Sequence, residues 1–541
     1  MEEAPPAPLT PGDPRHQKTP NLRTDPRQLE GRFYDLVVVG GGIQGAAIAR
    51  EAACRGIATL LVEKTDFAVG TSSRSSRLVH GGLRYLQQGN VALVKEALHE
   101  RERLLRLSPH LVRPLPVVLP FYPDSGGSRF VSWIGVRAYS WLAGRSTMPG
   151  PRRLSASEAA AAFPGLRTKG LLGGVQYFDA ATNDARLTLA NVVAAHRAGA
   201  VISNHCELLG VRADGALRLR DGLTGAEIAV RAKEIVNAAG PRADSVRRLF
   251  GTQGKNLVRT SRGTHLILDP RQGETSLAAF LPDKRIQFVV PHADGTLCGT
   301  TDVYEDATAE EPTVNKDDLR YLLDALAYLL DPAPTVADVR FAYSGWRSLP
   351  AQKGPSGAIH REAFLVREAT SAGGLHTVVG GKLTTHRAFA ERAVAQVFGI
   401  DGVDSRTRKE PLPGGEGARE PMDPLWWRHG SDAPRVRGIA QRDSNLLRPI
   451  CPHRPFLAVE AAHALRHLAA CTFSDLMLRR LVHSQGPCMR PECLAVAHGI
   501  YLRERVGDFD SDFVAATAAL RAEVEHLAGG VLPTMHPIAA R

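Results

Sequence analysis

Residues 34–45 read Tyr34-Asp35-Leu36-Val37-Val38-Val39-Gly40-Gly41-Gly42-Ile43-Gln44-Gly45, and residues 58–63 read Ala58-Thr59-Leu60-Leu61-Val62-Glu63. The apolar run before Gly40 is typical of a strand buried on both faces of a parallel sheet. Gly40, Gly42 and Gly45 have the spacing G-x-G-x-x-G, which allows a tight turn, the approach of a pyrophosphate and close helix packing. A helix is predicted over 46–55, and a second strand ends at Glu63, whose carboxylate can bind a ribose. The stretch predicts a dinucleotide-binding βαβ unit; the alternative is a tight βα turn without a ligand.

The composition narrows the class of protein. A chain of 541 residues with 43% hydrophobic content supports several domains with large cores. It has no run of about 18 uncharged apolar residues, so we expect no membrane-spanning helix. The net charge of +11 suits an anionic substrate or an anionic membrane surface. No block of Lys and Arg is interleaved with aromatic residues, so nucleic acid is not an expected partner. The seven scattered cysteines suit a reducing cytoplasm.

The two ends of the chain differ from its middle. Residues 1–30 are rich in proline and polar residues and lack an apolar signal core, so we expect a disordered N-terminal tail. Residues 401–424 are rich in glycine, proline and charge, which indicates a linker. Residues 425–541 show a helical pattern, clearest in Asp512–Ala528, where apolar residues fall on one face.

Two cysteines in the C-terminal region raise the question of a metal. Cys488 and Cys493, with His483 and His498 nearby, could form a metal cluster. The spacing C-x4-C is not a common zinc-binding spacing. We therefore interpret these residues as ordinary cysteines of a helical domain and expect no metal site.

A polar loop and a pair of glycines follow the second strand. The residues read Thr71-Ser72-Ser73-Arg74-Ser75-Ser76-Arg77, and then His80-Gly81-Gly82-Leu83-Arg84-Tyr85-Leu86. Small hydroxyl residues and glycines let a backbone lie against a ligand, although a plain surface loop is the alternative. The apolar residues of 83–86 would anchor the segment inside the protein.

Together with the glycine spacing, these residues resemble the FAD-dependent glycerol-3-phosphate dehydrogenases of the respiratory, aerobic type. Three later segments occur in the order that the family shows: Gly299-Thr300-Thr301-Asp302-Val303, Tyr343-Ser344-Gly345-Trp346-Arg347 and Gly380-Gly381-Lys382-Leu383-Thr384-Thr385. The resemblance is strong over 33–400 and weak elsewhere. Two residues depart from the family pattern: His386 stands where tyrosine is frequent, and Trp346 where a smaller residue is common.

The resemblance implies an α/β FAD-binding Rossmann-like domain with an antiparallel β-sheet substrate cap and a C-terminal all-α domain. We expect the FAD-binding domain to comprise residues 31–110, 180–250 and 345–400. The cap would comprise 111–179 and 251–344, and the strand-like alternation of 255–303 agrees with this assignment.

The cofactor implied by the resemblance is FAD, held without a covalent bond. The residues in the matching motifs that would bind it are Gly40, Gly42, Gly45, Glu63, Thr71, Ser72, Ser73, His80, Gly82, Ala239, Gly240, Gly381, Lys382, Leu383 and Thr384. From its residues alone, the Ala239–Gly240 turn equally fits one more buried strand with a tight exit. A helix predicted from Leu383 to Val397 would direct its positive end at the flavin and stabilise negative charge on the reduced ring.

The implied reaction is oxidation of sn-glycerol 3-phosphate to dihydroxyacetone phosphate, with hydride transfer from C2 to FAD N5 and electrons passed on to a membrane quinone. The substrate is a dianion, and the candidates that would bind it are Arg84, Tyr85, Thr301, Arg347, Arg361 and Lys382. Each cation alone could be a solvated surface charge, but the set predicts a convergent anion site. The catalytic candidates are Arg347 and His265, the latter as base, with His80 as the alternative base and a core role for His265 also open.

Residues 129–143 form an amphipathic candidate helix. Its apolar and basic residues recur at helical spacing: Phe130, Trp133, Ile134, Arg137 and Trp141, with Arg129 and Arg145 flanking. Because a quinone is dissolved in the bilayer, we expect this stretch to hold a cytoplasmic protein on the inner face of the cell membrane. The alternative is that its aromatics are buried in the cap.

Two other functions fit the same residues. One is an oxidase of the same fold that passes electrons to oxygen, and the other is a non-catalytic flavin-binding protein whose C-terminal helices bind a partner. The sequence leaves the identity of the quinone open, and also whether the protein is a homodimer.

Overall fold

A computed structural model describes residues 22–531 apart from 88, 126–128, 293–294, 306–310, 353–361, 401–404, 418–419, 421, 482–485, 487 and 506–508. Two large sheets form its framework, as the predicted α/β domain with a β-sheet cap requires. Helices pack around both sheets, and a C-terminal helical region completes the structure.

The first sheet is the core of the predicted FAD-binding domain. Its strands in spatial order are β17 (Phe364–Thr370), β18 (Gly373–Val379), β10 (Glu227–Asn237), β1 (Phe33–Val39), β2 (Thr59–Val62) and β7 (Val201–Ser203), with β8 (Cys206–Val211) and β9 (Leu217–Asp221) attached to β10. The pairings from β18 to β7 are parallel, and β17 runs antiparallel to β18. The carboxyl ends of the parallel strands therefore meet at one edge of the sheet.

The second sheet is the cap. Its strands in spatial order are β15 (Val303–Tyr304), β11 (Val258–Leu268), β14 (Gly295–Gly299), β13 (Ile286–His292), β12 (Ser276–Phe280), β4 (Val112–Pro120), β6 (Gly174–Thr182) and β3 (Leu78–Val79), with β16 (Val339–Pro350) on β11 and β5 (Arg152–Leu154) on β6. The pairing of β11 with β16 is antiparallel and extends over both strands. Strand β16 crosses the domain boundary expected at residue 345, so Arg347 lies on the cap sheet.

The helices before residue 400 are α1 (Ile43–Cys54), α2 (Leu83–Gln87), α3 (Val91–Leu107), α4 (Arg129–Leu142), α5 (Ala156–Ala162), α6 (Asp184–Arg197), α7 (Ala243–Leu249), α8 (Lys316–Leu329) and α9 (His386–Phe398). Helix α1 begins earlier than predicted because Gly42 is its N-cap, and α9 begins three residues after Leu383. Within the described ranges, no helix combines the length and apolar character needed to cross a bilayer.

The C-terminal region is mainly helical. It contains α10 (Trp426–His429), α11 (Ala433–Gly438), α12 (Ala458–His467), α13 (Phe473–Asp475), α14 (Pro491–Glu504) and α15 (Phe513–Ala528), with one hairpin of β19 (Pro449–Cys451) and β20 (Arg454–Leu457). Its apolar side chains belong to the same core as those of the cap, where Leu476 and Leu520 share a cluster with Phe341. The region is therefore packed against the cap sheet.

Two segments expected to be irregular are packed against the FAD-binding domain. The expectation of disorder is wrong for residues 22–30, where Leu22 and Leu29 are buried and Arg23 forms an ion pair with Asp221 at 2.8 Å. Residues 1–21 lie outside the described residues. In the predicted linker, the hydroxyls of Ser405 and Thr407 donate to the buried carboxylate of Glu51 on α1, at 2.7 and 2.6 Å. Long-range partners of this kind leave no periodic signal in the sequence.

Candidate active site

Four turns meet at the carboxyl edge of the parallel sheet. Gly40 follows β1, Glu63 follows β2, Ala239 and Gly240 follow β10, and Gly380 follows β18. Open parallel sheets bind their ligands at this edge, outside the strand ends. The tertiary structure thus assembles segments that are more than 300 residues apart in the chain.

The glycine turn after β1 depends on backbone contacts. Gly40 has a φ of +112°, and a Cβ there would lie 2.6 Å from the carbonyl oxygen of Ala238. A Cβ on Gly45 would lie 1.9 Å from the carbonyl oxygen of Gly40. At Gly42, the N-cap, a Cβ would approach the Ser72 hydroxyl to 3.2 Å. The first and third glycines are therefore required for helix α1 to pack on the turn, and its N-terminus is placed at the ligand edge.

Glu63 is held beside this turn. One carboxylate oxygen accepts a hydrogen bond from the Gly41 N–H at 2.6 Å, and the other accepts from the Thr65 N–H at 3.0 Å. A fixed carboxylate next to a helix N-terminus and a glycine turn fits the ribose and pyrophosphate of a dinucleotide.

The hydroxyl loop 71–77 connects the cofactor edge with the cap. The Thr71 hydroxyl donates to the carbonyl of Trp346 on β16 at 2.5 Å, and the Ser72 hydroxyl accepts from the Ile43 N–H at 2.9 Å. Ser75 donates from both its hydroxyl and its N–H to the buried carboxylate of Asp184, at 2.7 and 3.0 Å. Ser73 lies in the same 3-10 turn as Thr71 and Ser72. The loop is therefore anchored at both ends, which excludes the alternative of a plain surface loop.

The glycine turn after β18 lies against the first turn of α1. Gly381 has a φ of +114°, and a Cβ there would lie 2.6 Å from Nε2 of Gln44. The same nitrogen donates to the carbonyl of Lys382 at 3.3 Å. The Thr384 hydroxyl accepts from the His80 N–H at 3.1 Å and lies 3.2 Å from the His80 carbonyl. The structure thus brings the predicted cofactor residues of 380–384 and 80–82 together.

His265 lies on the face of the cap sheet that meets the hydroxyl loop. Its Nε2 is 2.8 Å from the Ser76 hydroxyl, and its ring stacks on Tyr343 with 5.1 Å between centroids. The imidazole is 2% exposed. Burial, together with the nearby positive charges of Arg347 and Arg77, lowers the pKa of His265 to about 3. His265 is therefore a neutral imidazole at pH 7.

Arg347 lies on the same face, two positions beyond the glycine of β16 that pairs with Gly263. Its Nη2 donates to the Thr300 hydroxyl at 2.9 Å and to the Thr301 carbonyl at 3.0 Å, and its Nη1 lies 3.3 Å from the Asp302 carboxylate. The Thr301 hydroxyl in turn accepts from the Thr264 N–H at 2.9 Å. The guanidinium is thus fixed by the Gly299–Val303 motif.

Two glycines of the cap make room for these side chains. A Cβ on Gly263 would lie 2.3 Å from Nη2 of Arg347, and a Cβ on Gly299 would lie 2.4 Å from Cδ2 of His265. Neither glycine was among the predicted site residues, and neither were Ser76 and Asp302. An isolated glycine inside a strand pattern is the signal that could have identified Gly263 and Gly299.

The structure describes the side chains of some of the remaining predicted residues and not those of others. Nζ of Lys382 lies 3.6 Å from the centroid of the Tyr85 ring, which is the geometry of a cation–π contact. The backbone of Arg84 lies in α2, but its side chain is outside what the structure describes, as is the whole of Arg361. Arg347 and Lys382 are therefore the predicted cations whose side chains the described part of the chain places.

The chain is similar in sequence to known proteins. The sequence profile of the family DAO, FAD dependent oxidoreductase, matches residues 35–387. The chain is 33% identical to a glycerol-3-phosphate dehydrogenase of Synechocystis, over 84% of this chain and 89% of that protein. It is 33% identical to glycerol-3-phosphate dehydrogenase 2 of Mycobacterium tuberculosis, over 92% and 90%. It is 36% identical to the human mitochondrial glycerol-3-phosphate dehydrogenase, over 71% and 56%.

Solved structures are also similar to this chain. The crystal structure of the glycerol-3-phosphate dehydrogenase from Bacillus halodurans, complexed with FAD, is 25% identical and superposes with a TM-score of 0.71, covering 94% of this chain and 97% of that one. An L-α-glycerophosphate oxidase from Mycoplasma pneumoniae, at 18% identity and a TM-score of 0.54, shares the fold. With the glycine turn, Glu63 and the hydroxyl loop assembled at one sheet edge, this chain is an FAD-dependent oxidoreductase that belongs to the glycerol-3-phosphate dehydrogenase family.

Proposed function

We propose that this enzyme oxidises sn-glycerol 3-phosphate to dihydroxyacetone phosphate and passes the electrons to a membrane quinone. The observation that carries the proposal is the pairing of a fixed guanidinium, Arg347, with a neutral imidazole, His265, on one face of the cap. That face meets the hydroxyl loop, which reaches the cofactor edge. FAD, bound without a covalent bond, supplies the acceptor for the hydride from C2.

A phosphate dianion is bound by cations through charge-assisted hydrogen bonds. The guanidinium of Arg347 contacts the Thr300 hydroxyl at 2.9 Å, the Thr301 carbonyl at 3.0 Å and the Asp302 carboxylate at 3.3 Å. Its fixed position on the face that carries His265 supports the proposed role in binding the phosphate. Lys382, positioned on the Tyr85 ring, is a second cation of the proposed site. Arg84 and Arg361 complete the proposed set.

His265 is proposed to accept the proton of the C2 hydroxyl. A pKa of about 3 leaves the imidazole neutral at neutral pH, so one of its ring nitrogens can accept a proton, and the Ser76 hydroxyl at 2.8 Å from Nε2 orients the ring. The same low pKa makes the imidazole a weak base, mainly because the ring is buried and in part because Arg347 repels the added proton. A substrate dianion at Arg347 would offset that repulsion, so its binding raises the pKa of His265 and strengthens the base when it is needed.

Helix α4 supports the proposed contact with the membrane. Phe130, Ile134 and Trp141 are 66%, 49% and 80% exposed, whereas Trp133 is partly buried against the core. The alternative of aromatics packed in the cap therefore applies to Trp133 and not to Phe130 and Trp141. Arg129, Arg137 and Arg145 are exposed as well. Exposed aromatic residues with adjacent arginines are typical of a helix lying in the interface of an anionic bilayer.

The buried face of α4 reaches the FAD-binding domain. The Tyr139 hydroxyl accepts from the Gly81 N–H at 2.7 Å and donates to the Asp179 carboxylate at 2.8 Å. Gly81 belongs to the segment whose His80 is bonded to Thr384. A helix on the membrane surface would therefore be joined by two hydrogen-bonded steps to the proposed flavin site, which suits delivery of electrons to a lipid-soluble acceptor.

Substrate reduction of the bound flavin is the direct test of the reaction. We expect anaerobic addition of sn-glycerol 3-phosphate to bleach the visible band of the purified yellow protein stoichiometrically, whereas glycerol, which lacks the phosphate, does not. A flavin that stays oxidised would contradict the proposal and favour a non-catalytic role. In air, peroxide release at the full turnover rate would instead assign the oxidase reaction.

Replacing His265 with Asn should lower kcat by about 10²-fold or more, because the proton acceptor is lost while the size of the side chain is nearly kept. Steady-state kinetics with a soluble dye measure this effect, and FAD content and Tm are measured beside it. A core role for His265 predicts the reverse pattern: normal kcat per bound FAD, but a lower Tm.

Replacing Arg347 with Ala should lower kcat/KM by an amount equivalent to about 1.5–3 kcal/mol, because a charge-assisted bond to the phosphate is lost. FAD content should stay unchanged. Arg340→Ala is a matched control, since Arg340 lies on the same strand but is paired with Asp269 at 2.6 Å. Wild-type kcat/KM in the Arg347 variant would remove this residue from the site.

Replacing Arg129, Arg137 and Arg145 together with Ala should weaken binding to anionic liposomes, since each basic residue contributes about 1 kcal/mol near such a surface. Reduction of a quinone in those liposomes should fall with it, while activity with a soluble dye stays unchanged. A control that removes Arg218, Arg220 and Arg231, exposed on β9 and β10, changes the net charge equally. Equal liposome binding by both triple variants would place the membrane contact elsewhere.

A further inference from the structure

Four potential metal ligands converge in the C-terminal region, and none of them is a residue of the proposed reaction. The ligand atoms of Cys451, His453, Cys488 and Cys493 all lie within 4.8 Å of one another. Nδ1 of His453 is 3.4 Å from the sulfur of Cys493 and 3.6 Å from that of Cys488. The three cysteines are buried and form a small cluster of their own.

The ligands come from two segments that are about 35 residues apart in the chain. Cys451 ends β19, and His453 lies in the turn of the β19–β20 hairpin. Cys488 precedes α14, and Cys493 lies in its first turn. From the C-x4-C spacing, with His483 and His498 nearby, we expected ordinary cysteines and no metal site. His483 is outside the described residues, and His498 is bonded to the Asp510 carbonyl at 2.9 Å, so Cys451 and His453 occupy the places considered for them.

The distances match the edges of a tetrahedron around zinc. With Zn–S of about 2.3 Å and Zn–N of about 2.0–2.1 Å, a regular tetrahedron places sulfur and nitrogen about 3.6 Å apart. The two sulfur–nitrogen distances of 3.4 and 3.6 Å agree with this value. A disulfide would require two sulfurs at about 2.0 Å, and all of these cysteines are free thiols.

A buried arginine joins the two segments that carry the ligands. The guanidinium of Arg454, 8% exposed, donates to the carbonyl of Gly486 at 3.3 Å and to the carbonyl of His453 at 3.1 Å. Arg454 therefore holds the β19–β20 hairpin beside the segment that leads to Cys488. Such outer contacts orient metal ligands.

We propose that Cys451, His453, Cys488 and Cys493 bind one Zn²⁺ in a closed Cys₃His site. Four protein ligands leave no position for water or substrate, so the site is structural. Binding releases the thiol protons of the three cysteines, and the metal joins the β19–β20 hairpin to α14. Helix α14 packs in the same core as the cap, so the ion would stabilise the C-terminal region on the cap sheet. The proposal does not depend on the substrate or on the electron acceptor.

The test is the metal content of the untagged full-length holoenzyme, purified without added metal and analysed by mass spectrometry. We expect about one zinc per chain, and the same content in Cys54→Ser, whose cysteine lies outside the cluster. Cys451→Ser and Cys493→Ser should retain less than about one tenth of it while still binding FAD. Wild-type protein without zinc, both as purified and after addition of one equivalent of ZnCl₂, would overturn the proposal, as would iron in its place.

A second measurement covers the case in which the cysteine variants fail to fold. Treatment of the wild-type protein with an organomercurial should release one zinc, detected by a metal-binding dye, and chelation should lower Tm without releasing FAD. Cysteines that react with a thiol reagent at the same rate before and after chelation would contradict the proposed site.

Discussion

The architecture of the cofactor edge depends on one close approach, between the Cα of Gly45 and the carbonyl oxygen of Gly40. A single methyl group at Gly45 would lie 1.9 Å from that oxygen and would displace helix α1 from strand β1. The position of α1 in turn sets Ile43 against the Ser72 hydroxyl and Gln44 against the carbonyl of Lys382. The first turn of this helix therefore contacts three segments of the site: the glycine turn after β1, the hydroxyl loop and the glycine turn after β18.

Glycines also leave room for neighbouring groups in the cap. Gly263 and Gly299 leave the volume that Arg347 and His265 occupy, so the paired strands β11 and β16 carry the two candidate side chains on one face of the sheet. The hydroxyl loop joins that face to the FAD-binding domain. The Thr71 hydroxyl donates to the Trp346 carbonyl, and the Ser76 hydroxyl is within hydrogen-bonding distance of His265. The Tyr343 hydroxyl donates to the Ser75 carbonyl at 2.8 Å. Burial then keeps His265 neutral, which suits a proton acceptor next to a cation.

The C-terminal region is joined to the FAD-binding domain by buried charge and to the cap by apolar packing. Asp66, which follows β2, accepts hydrogen bonds from Arg479 at 2.6 Å and from Arg480 at 2.7 Å, and all three side chains are buried. Burial alone would raise the pKa of Glu460, but hydrogen bonds from His429 and Arg428 lower it to about 2. Removing one partner from such a buried network is costly because the remaining charge is left unpaired. These contacts make the region an integral part of the fold.

Local sequence determined the elements whose signal is periodic or stereochemical. The apolar run before Gly40, the glycine spacing and Glu63 predicted the βαβ unit. Helix α6 begins at Asp184 because the side chain of Asn183 caps it, which is also a local effect. The resemblance to a known family predicted that the cofactor is FAD and that His265 and Arg347 are catalytic candidates. Only the tertiary structure decided that residues 22–30 are packed, that two cap glycines accommodate the catalytic candidates, and that Cys451 and His453 lie beside Cys488 and Cys493. Each of these depends on partners distant in the chain, and a contact between distant segments imposes no period that a single sequence can show.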